Sequence, residues 1–149
     1  MLDLDDLNFE IPYKTPLEIR NSHDFPQWFS VFQEAFELSD TGSSLFFTLL
    51  NNSLVKDTFI HYYSLSQDKI TSVLSVMMLE DHNIGLFNFG TLKQQRNQGY
   101  LSELVSLCLI EARKGGKKTA LVHANQASQS LLKKLGFKKV GSYHFYGRI

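Results

Sequence analysis

The chain has 149 residues, of which 43% are hydrophobic and 20% charged, and this length and composition predict one globular domain with a packed core. They exclude a fibrous or disordered chain. A single cysteine excludes an internal disulfide, no Cys/His cluster has zinc-site spacing, and no apolar run reaches membrane-spanning length, so we expect a soluble, metal-free protein of a reducing cytoplasm.

The formal net charge of zero hides a strong asymmetry along the chain. Residues 1–90 contain 4 Lys and Arg against 13 Asp and Glu, whereas residues 91–149 contain 11 against 2. The two parts therefore carry charges of −9 and +9. This polarity suggests that one part serves an anion and the other a cation, although solvated surface charge gives the same counts.

The first half of the chain predicts an N-terminal arm, one strand and two helices. Residues 1–16 combine acidic residues with isolated apolar ones, which is typical of a tail or a docked arm. Asp24 and Pro26 favour the start of a helix, and the apolar residues after them recur at helical spacing. The predicted elements are a strand at residues 17–21 and helices at residues 25–37 and 43–54.

From Thr58 onward the sequence predicts a sheet. Three runs rich in β-branched and aromatic residues, joined by short polar turns, indicate an antiparallel meander. The later segments alternate between helix and strand, which predicts a mixed α/β sheet with one βαβ unit. The predicted strands are residues 58–66, 70–80, 84–92, 118–125 and 138–149, and the predicted helices are residues 100–114 and 128–135.

The most informative segment is the loop of residues 93–99, between a strand and a helix. The first turn of a helix leaves N–H groups without partners and carries partial positive charge, so a phosphate can bind the backbone of residues 98–101. Gly99 permits close approach and Arg96 adds a planar cation, although an ordinary connection would also use such a glycine. The segment matches neither a dinucleotide fingerprint nor a P-loop, which disfavours nicotinamide and nucleoside-triphosphate chemistry.

Two motifs in this half resemble the GNAT superfamily of N-acetyltransferases. Residues 96–101 (RNQGYL) resemble its Arg/Gln-x-x-Gly-x-Gly/Ala acyl-CoA loop. Residues 125–137 (NQASQSLLKKLGF) resemble its Asn-x-x-Ala-x-x-Leu-Tyr-x-x-Leu-Gly-Phe segment. The resemblance implies that residues 17–149 form one GNAT-like acyltransferase domain after an arm of residues 1–16. Its fold would be a mixed, largely antiparallel central sheet flanked by about four helices, with one βαβ unit for acyl-CoA.

The resemblance also implies an acyl-CoA site without a metal. The loop of residues 96–101 would hold the pyrophosphate, and the pantetheine arm would enter between two splayed strands like an additional strand. Asn125 as an N-cap, and Thr91 and Leu92 as ordinary strand positions, remain alternatives. The implied cofactor-binding residues are Gly90, Thr91, Leu92, Arg96, Asn97, Gln98, Gly99, Tyr100, Leu101 and Asn125.

The chain departs from the family pattern at three positions. Leu101 stands where Gly or Ala is usual, and Lys93 replaces a common proline. Leu132 stands at the position of the tyrosine that often protonates the departing thiolate, so that role does not transfer. The chain also ends soon after its last predicted strand. This leaves little for a seventh strand, which the N-terminal arm or a partner subunit in a homodimer could supply.

The implied activity is direct transfer of an acyl group, expected to be acetyl, to an amine on a small molecule or peptide. A backbone N–H near Leu92 is the family's usual oxyanion donor, and Tyr143 and Tyr146 are candidate acids. Residues 1–90, with their negative charge, favour a cationic acceptor. Candidate bases by residue type are Glu80, Asp81, His82, His61 and His123.

Two other classes of function stay open. One is a degenerate GNAT domain that binds acyl-CoA without turnover. The other is a nucleic-acid-binding module that uses the basic C-terminal part of the chain. The second class is disfavoured because its lysines lack the interleaved aromatic residues of a base-stacking platform. These lysines are Lys133, Lys134, Lys138 and Lys139.

Overall fold

The protein folds around one mixed sheet, which the computed structural model describes over residues 1–8, 16–18, 24–52 and 57–144. In these ranges the strands are β1 (Leu2–Asp3), β2 (Leu17–Glu18), β3 (Phe59–Ser66), β4 (Lys69–Met78), β5 (Asn83–Thr91) and β6 (Thr119–Val122). They lie in the order β1-β6-β5-β4-β3-β2. All neighbouring pairs are antiparallel except β5 and β6, which are parallel.

Four helices cover the two faces of this sheet within the described ranges: α1 (Phe25–Ala35), α2 (Asp40–Leu50), α3 (Tyr100–Lys114) and α4 (Gln129–Lys134). Leu74 of β4 belongs to a core that includes α3 and α4, whereas Val73 belongs to a core that includes α1 and α2. Because successive strand residues point to opposite faces, α1 and α3 lie on opposite sides of the sheet. The predicted fold class is confirmed.

The predicted βαβ unit consists of β5, α3 and β6. Ile84 pairs with Ala120 in parallel register, and α3 has the predicted bounds. Its residues 104–110 are all buried, which drives the helix against the sheet. Gly115 at the C-cap and Gly116, with φ of 80°, end the helix as expected.

The predicted antiparallel meander is formed by β3, β4 and β5. The β3–β4 turn is made by Gln67 and Asp68, both with positive φ, as a two-residue hairpin requires. Asp81 and His82, also with positive φ, lie in the β4–β5 turn. Short-range turn chemistry therefore sets the three central strands.

The N-terminal residues dock onto the sheet edge beyond β6. Leu2 pairs with Ala120, and the backbone N–H of Leu4 donates to the Lys118 carbonyl at 2.7 Å. Leu2, Leu4 and Leu7 are buried in the α3 core. The segment therefore adds both a strand and core side chains to the fold.

Three predicted elements differ from the structure in more than their exact ends. The strand predicted at residues 138–149 is wrong for 138–144, which form no strand, and residues 145–149 lie outside the described part. The physical reason is that β1 already occupies the edge of β6. The strand predicted at 17–21 is described only at its first two residues. The helix predicted at 43–54 begins earlier, because Ser39 caps it by accepting from the Gly42 N–H at 3.2 Å, and ends at Leu50.

Candidate functional site

Strand β5 extends beyond the end of its parallel neighbour β6, which pairs with it along its whole length. Their pairing ends where Leu86 faces Val122, and β5 continues to Thr91 paired only with β4. Among the described residues no strand lies beside the β6-facing edge of residues 87–91. That edge offers backbone N–H and C=O groups to an extended ligand.

A bulge lies just beyond the end of this pairing. The register of β4 with β5 shifts between Val73 and Ser75, and Asn88 has φ of 48°. One extra residue of β5 therefore faces β4 at this point, which bends the strand. Beyond the bulge, Thr91 is fixed by a 2.7 Å hydrogen bond between its Oγ1 and Ser72 Oγ, both buried.

The loop after β5 presents the N-terminus of α3 to solvent. Gly99 is the N-cap residue, with φ of 88°, and makes no side-chain cap. Its carbonyl accepts from the Glu103 N–H at 2.9 Å. Asn97 also has positive φ, and residues 96–99 are exposed. Such a left-handed turn before an uncapped helix is a suitable concavity for a phosphate.

The Arg96 side chain joins this loop to α1. Its Nε donates to the Thr91 carbonyl at 3.3 Å, and its Nη2 donates to the Ala35 carbonyl at 3.0 Å. Since a guanidinium has five N–H donors, these two bonds leave others for an anion. Arg96 therefore ties together the end of α1, the end of β5 and the loop, a role that its sequence position did not reveal.

The side chains on either side of Gly99 have partners within the protein. Tyr100 donates its hydroxyl to Ser66 Oγ at 2.9 Å, on the β3–β4 hairpin. Leu101 packs against the α3 core, so its side chain is accommodated despite the usual Gly or Ala. Gln98 donates to the Gln94 carbonyl at 3.3 Å and stabilises the loop from within.

Successive backbone N–H groups at residues 90–92 point to opposite edges of β5. The Leu92 N–H donates to the Thr71 carbonyl at 3.0 Å, which extends the β4–β5 ladder, so it does not face the open edge. Because N–H groups alternate along a strand, the Thr91 N–H is the one directed toward that edge. A Cβ on Gly90 would lie 2.8 Å from the Ala35 Cβ, so this glycine allows α1 to pack closely on β5.

Asn125, on the opposite side of the opening, caps the turn before α4. Its Oδ1 accepts from the Ser128 N–H and from Ser128 Oγ, both at 3.0 Å. The N-cap alternative considered from the sequence is therefore observed. A contact between Asn125 and a pantetheine arm stays a prediction.

The histidine His61 is a poor candidate for the base. It is 8% exposed, with its ring centroid 4.5 Å from that of Trp28 and 5.2 Å from that of Phe25. Burial lowers its pKa to about 4. Glu80, Asp81 and His82 follow β4 at the far end of β5, away from the open edge. Cys108 is buried, and burial raises its pKa, as expected for a structural cysteine.

Three further candidate positions have different surroundings. His123 directly follows β6, and its ring centroid is 4.6 Å from that of Tyr143, which is 75% exposed. This aromatic pair therefore lies beside the opening between β5 and β6. Leu132, at the family's tyrosine position, is 4% exposed within the α3 core. Tyr146 lies outside the described residues.

A groove of about 470 Å³ separates α1 from α2, on the same face of the sheet as Asn88 and Gly90. Ser43 in this groove has a buried hydroxyl without a hydrogen-bond partner in the described structure. The exposed carboxylates of Glu34, Glu37 and Asp40 surround the α1–α2 connection. The groove is lined by Phe29, Gln33, Asp40, Ser43, Ser44, Phe47 and Thr48.

Two other kinds of site are absent from the described ranges. These ranges contain no group of three or more His, Cys, Asp and Glu side chains that could hold a metal ion. No helix within them has the length and apolar character needed to cross a membrane.

Comparisons with known proteins identify the same fold in acetyltransferases. The aminoglycoside antibiotic 6'-N-acetyltransferase AAC(6')-IG of Acinetobacter haemolyticus matches with a TM-score of 0.68 and 12% identity, over 91% of this chain and 99% of that one. The ribosomal-protein-S18-alanine N-acetyltransferase of Escherichia coli matches with 0.68 and 18%, over 85% and 79%. A predicted acetyltransferase of Clostridium acetobutylicum, solved with acetyl-CoA, matches with 0.66 and 14%, over 86% and 92%.

The sequence comparisons carry the assignment beyond the fold. No curated protein matches the chain significantly. The pattern of the acetyltransferase (GNAT) family, however, matches residues 16–137, which include both strands of the opening, the α3 N-terminus and Asn125. The chain belongs to the acetyltransferase (GNAT) family.

Proposed function

We propose that this protein transfers the acetyl group of acetyl-CoA directly to the amine of a cationic acceptor. The observation that carries the proposal is the uncapped N-terminus of α3, with left-handed Gly99, placed one short loop after the edge of β5 that β6 leaves unpaired. The helix end suits the pyrophosphate, and the strand edge suits the amide groups of the pantetheine arm. Arg96 supplies a nearby cation.

The order of these features along β5 gives the arm a direction. The pyrophosphate would bind beyond Thr91, at residues 96–101, and the arm would run back along the edge of β5 toward Asn88. The thioester would then lie near the vertex of the opening, where β6 ends and His123 and Tyr143 pair. Asn125 would contact the arm from the β6 side.

The reaction needs a neutral amine, a donor for the developing oxyanion and an exit for the thiolate. The Thr91 N–H, the backbone donor near Leu92 that faces the opening, would bind the pantetheine arm, because it lies about 10 Å along β5 from Asn88 and the thioester. Tyr143 is the candidate acid, although a thiol with a pKa of about 8.5 also leaves without strong assistance. Holding the reactants in line gives an effective molarity of about 10⁵ to 10⁸ M, which exceeds the contribution of about 10² to 10⁴ from a positioned acid.

The acceptor class follows from charge near the opening. Glu34, Glu37 and Asp40 are exposed around the α1–α2 connection, and α1 packs on β5 at Gly90. Glu37 has an ion pair with Lys93 at 3.8 Å, but both side chains are about 70% exposed. Lys93 therefore neutralises little of the negative charge of this region. A cationic amine would be attracted to this region. Two similar structures belong to enzymes whose names specify an aminoglycoside antibiotic and an alanine of ribosomal protein S18.

A thiol-release assay with acetyl-CoA tests this proposal. Polyamines, aminoglycosides and N-terminal peptides should give turnover, and acceptors whose overall charge is zero or negative should give less. Rising salt should lower kcat/KM for cationic acceptors. Asp40→Asn should raise the acceptor KM, whereas Asp81→Asn, in the distant β4–β5 turn, should not. Binding of CoA without thiol release for any amine would instead support a degenerate domain that binds acyl-CoA as a ligand.

A further inference from the structure

We propose that Asn88 orients the acceptor amine beside the thioester through its side-chain carbonyl, and that Ser75 and His61 position its amide for that task. This inference rests on the proposed function and names a residue that binds the acceptor. Its starting point is a polar chain of three side chains across β3, β4 and β5. Asn88 Nδ2 donates to Ser75 Oγ at 3.3 Å, and Ser75 Oγ lies 2.9 Å from His61 Nδ1.

The bulge gives Asn88 its orientation. Leu86 and Phe89 pack in the α3 core, whereas Phe87 contacts Phe59 on the other side of the sheet. In a regular strand, Asn88 would share the face of Leu86. The extra residue and the positive φ instead direct its side chain to Ser75, on the face of α1 and α2.

Ser75 and His61, the inner two side chains of this hydrogen-bonded series, are held in place by burial. Ser75 is 0% exposed, and His61 is 8% exposed between Phe25 and Trp28. Burial also keeps His61 neutral at pH 7, with its pKa lowered to about 4, so Nδ1 can accept the Ser75 hydroxyl. Ser75 then accepts from Asn88 Nδ2, and the Asn88 carbonyl Oδ1 remains available to a ligand. With the His61 proton on Nε2, the network sets which end of the amide faces outward.

Asn88 lies where the acceptor would meet the thioester. It follows the last β5–β6 pair, at Leu86, by two residues and is half-buried. Two residues further along β5, Gly90 contacts Ala35 and Phe36 of the α1 end, next to the acidic α1–α2 connection. An amide oxygen can accept an N–H of the amine without carrying charge. It orients the amine and does not deprotonate it, so kcat/KM should follow the pKa of the acceptor itself.

The test compares Asn88→Gly with Asp81→Gly. Both remove a side chain at positive φ, where glycine relieves strain, but Asp81 lies in the exposed β4–β5 turn. We measure the acetyl-CoA Kd, the acceptor KM, kcat and the thermal midpoint. Asn88→Gly should lower kcat/KM for the amine by about 10-fold, the value of one hydrogen bond, with the acetyl-CoA Kd unchanged. Asp81→Gly should leave the acetyl-CoA Kd, the acceptor KM and kcat unchanged.

Two conservative variants separate orientation from simple stability. Asn88→Asp keeps an acceptor oxygen and should recover part of the lost kcat/KM. Ser75→Ala removes the positioning bond and should raise the acceptor KM while leaving the acetyl-CoA Kd unchanged. The inference is overturned if wild-type transfer is robust and Asn88→Gly matches it, or if Asn88→Gly weakens acetyl-CoA binding as much as it weakens acceptor use. Absence of transfer by the wild type to any amine would overturn the proposed function, and this inference with it.

Discussion

At the scale of single residues, packing decides which titratable groups can take part in chemistry. His61 and His123 are equivalent candidates in the sequence, but one is enclosed by aromatic rings and the other pairs with Tyr143 beside the opening. The environment of each follows from strand register. Residue type alone therefore proposed a base that burial excludes.

The buried His61 predicts a pH dependence of stability. Its pKa is about 4 in the folded protein and about 6.5 when unfolded, so between these values the unfolded chain binds the extra proton. The free energy of unfolding should therefore have its full value above pH 6.5 and decrease by up to about 3 kcal/mol as the pH falls to 4. Urea unfolding of the wild type and His61→Phe at pH 4.5 and 7.5 measures this. An equal loss in both proteins would contradict the assignment to His61.

At the scale of elements, local patterns predicted the helices and central strands well. Helix α3 has its predicted bounds because a long amphipathic pattern ends at two glycines. The turns with positive φ are also set by short sequence patterns. The bulge at Asn88 and the polar chain to His61 depend on pairing between distant strands, so no local pattern gives them. The only sequence signals are a polar residue within the apolar strand β5 and serines within β4.

The candidate site was predicted in outline for the same reason. The β5–α3 loop is a local motif, and the structure places its glycine at the helix N-cap. The engagement of Arg96 with Ala35, and of Leu92 with Thr71, requires the packed fold. The C-terminal strand was predicted wrongly at residues 138–144 because the sequence does not show that β1 takes the edge of β6.

The short helix α4 contains Leu132, which stands where the family often has a tyrosine. Leu132 is buried in the core, so Leu132→Tyr should overpack it and lower the free energy of unfolding by about 1 to 3 kcal/mol. The rate of acetyl transfer should not increase, since the ring would enter a packed region. Leu131→Tyr, at a half-buried neighbouring position, should cost less stability. Thermal unfolding and thiol release measure both effects. A large rate increase in Leu132→Tyr would show that the position does reach the thioester.

At the scale of the whole molecule, the N-terminal arm and the acetyltransferase domain share one core. Leu2, Leu4 and Leu7 pack with residues of β4, β5, α3 and α4. The backbones of Met1 and Lys138 also exchange two hydrogen bonds, at 2.8 and 2.9 Å. We propose that residues 1–16 and 17–149 fold as one cooperative unit, although the arm precedes the family match.

Leu4→Ala tests this cooperation. Leu4 is 0% exposed, so its truncation should lower the free energy of unfolding by about 2 to 5 kcal/mol in a single transition. Leu45→Ala, at a position 68% exposed on α2, is the matched control and should have little effect. Denaturant unfolding followed by fluorescence and circular dichroism measures both. Wild-type stability in Leu4→Ala would mean that the arm is only a tail.

The central claim is that the N-terminus of α3 binds the pyrophosphate of acetyl-CoA, and the two ends of this helix offer a matched comparison. Gly99 and Gly116 both have positive φ, 88° and 80°, and a Cβ on either would meet nothing within 4 Å. Alanine therefore introduces similar backbone strain at both ends, of about 1 to 2 kcal/mol. Calorimetric titration with CoA should show binding by the wild type and by Gly116→Ala, and at least about 10-fold weaker binding by Gly99→Ala. Equal affinities in the two variants, or no CoA binding by the wild type at about 1 mM, would contradict the account.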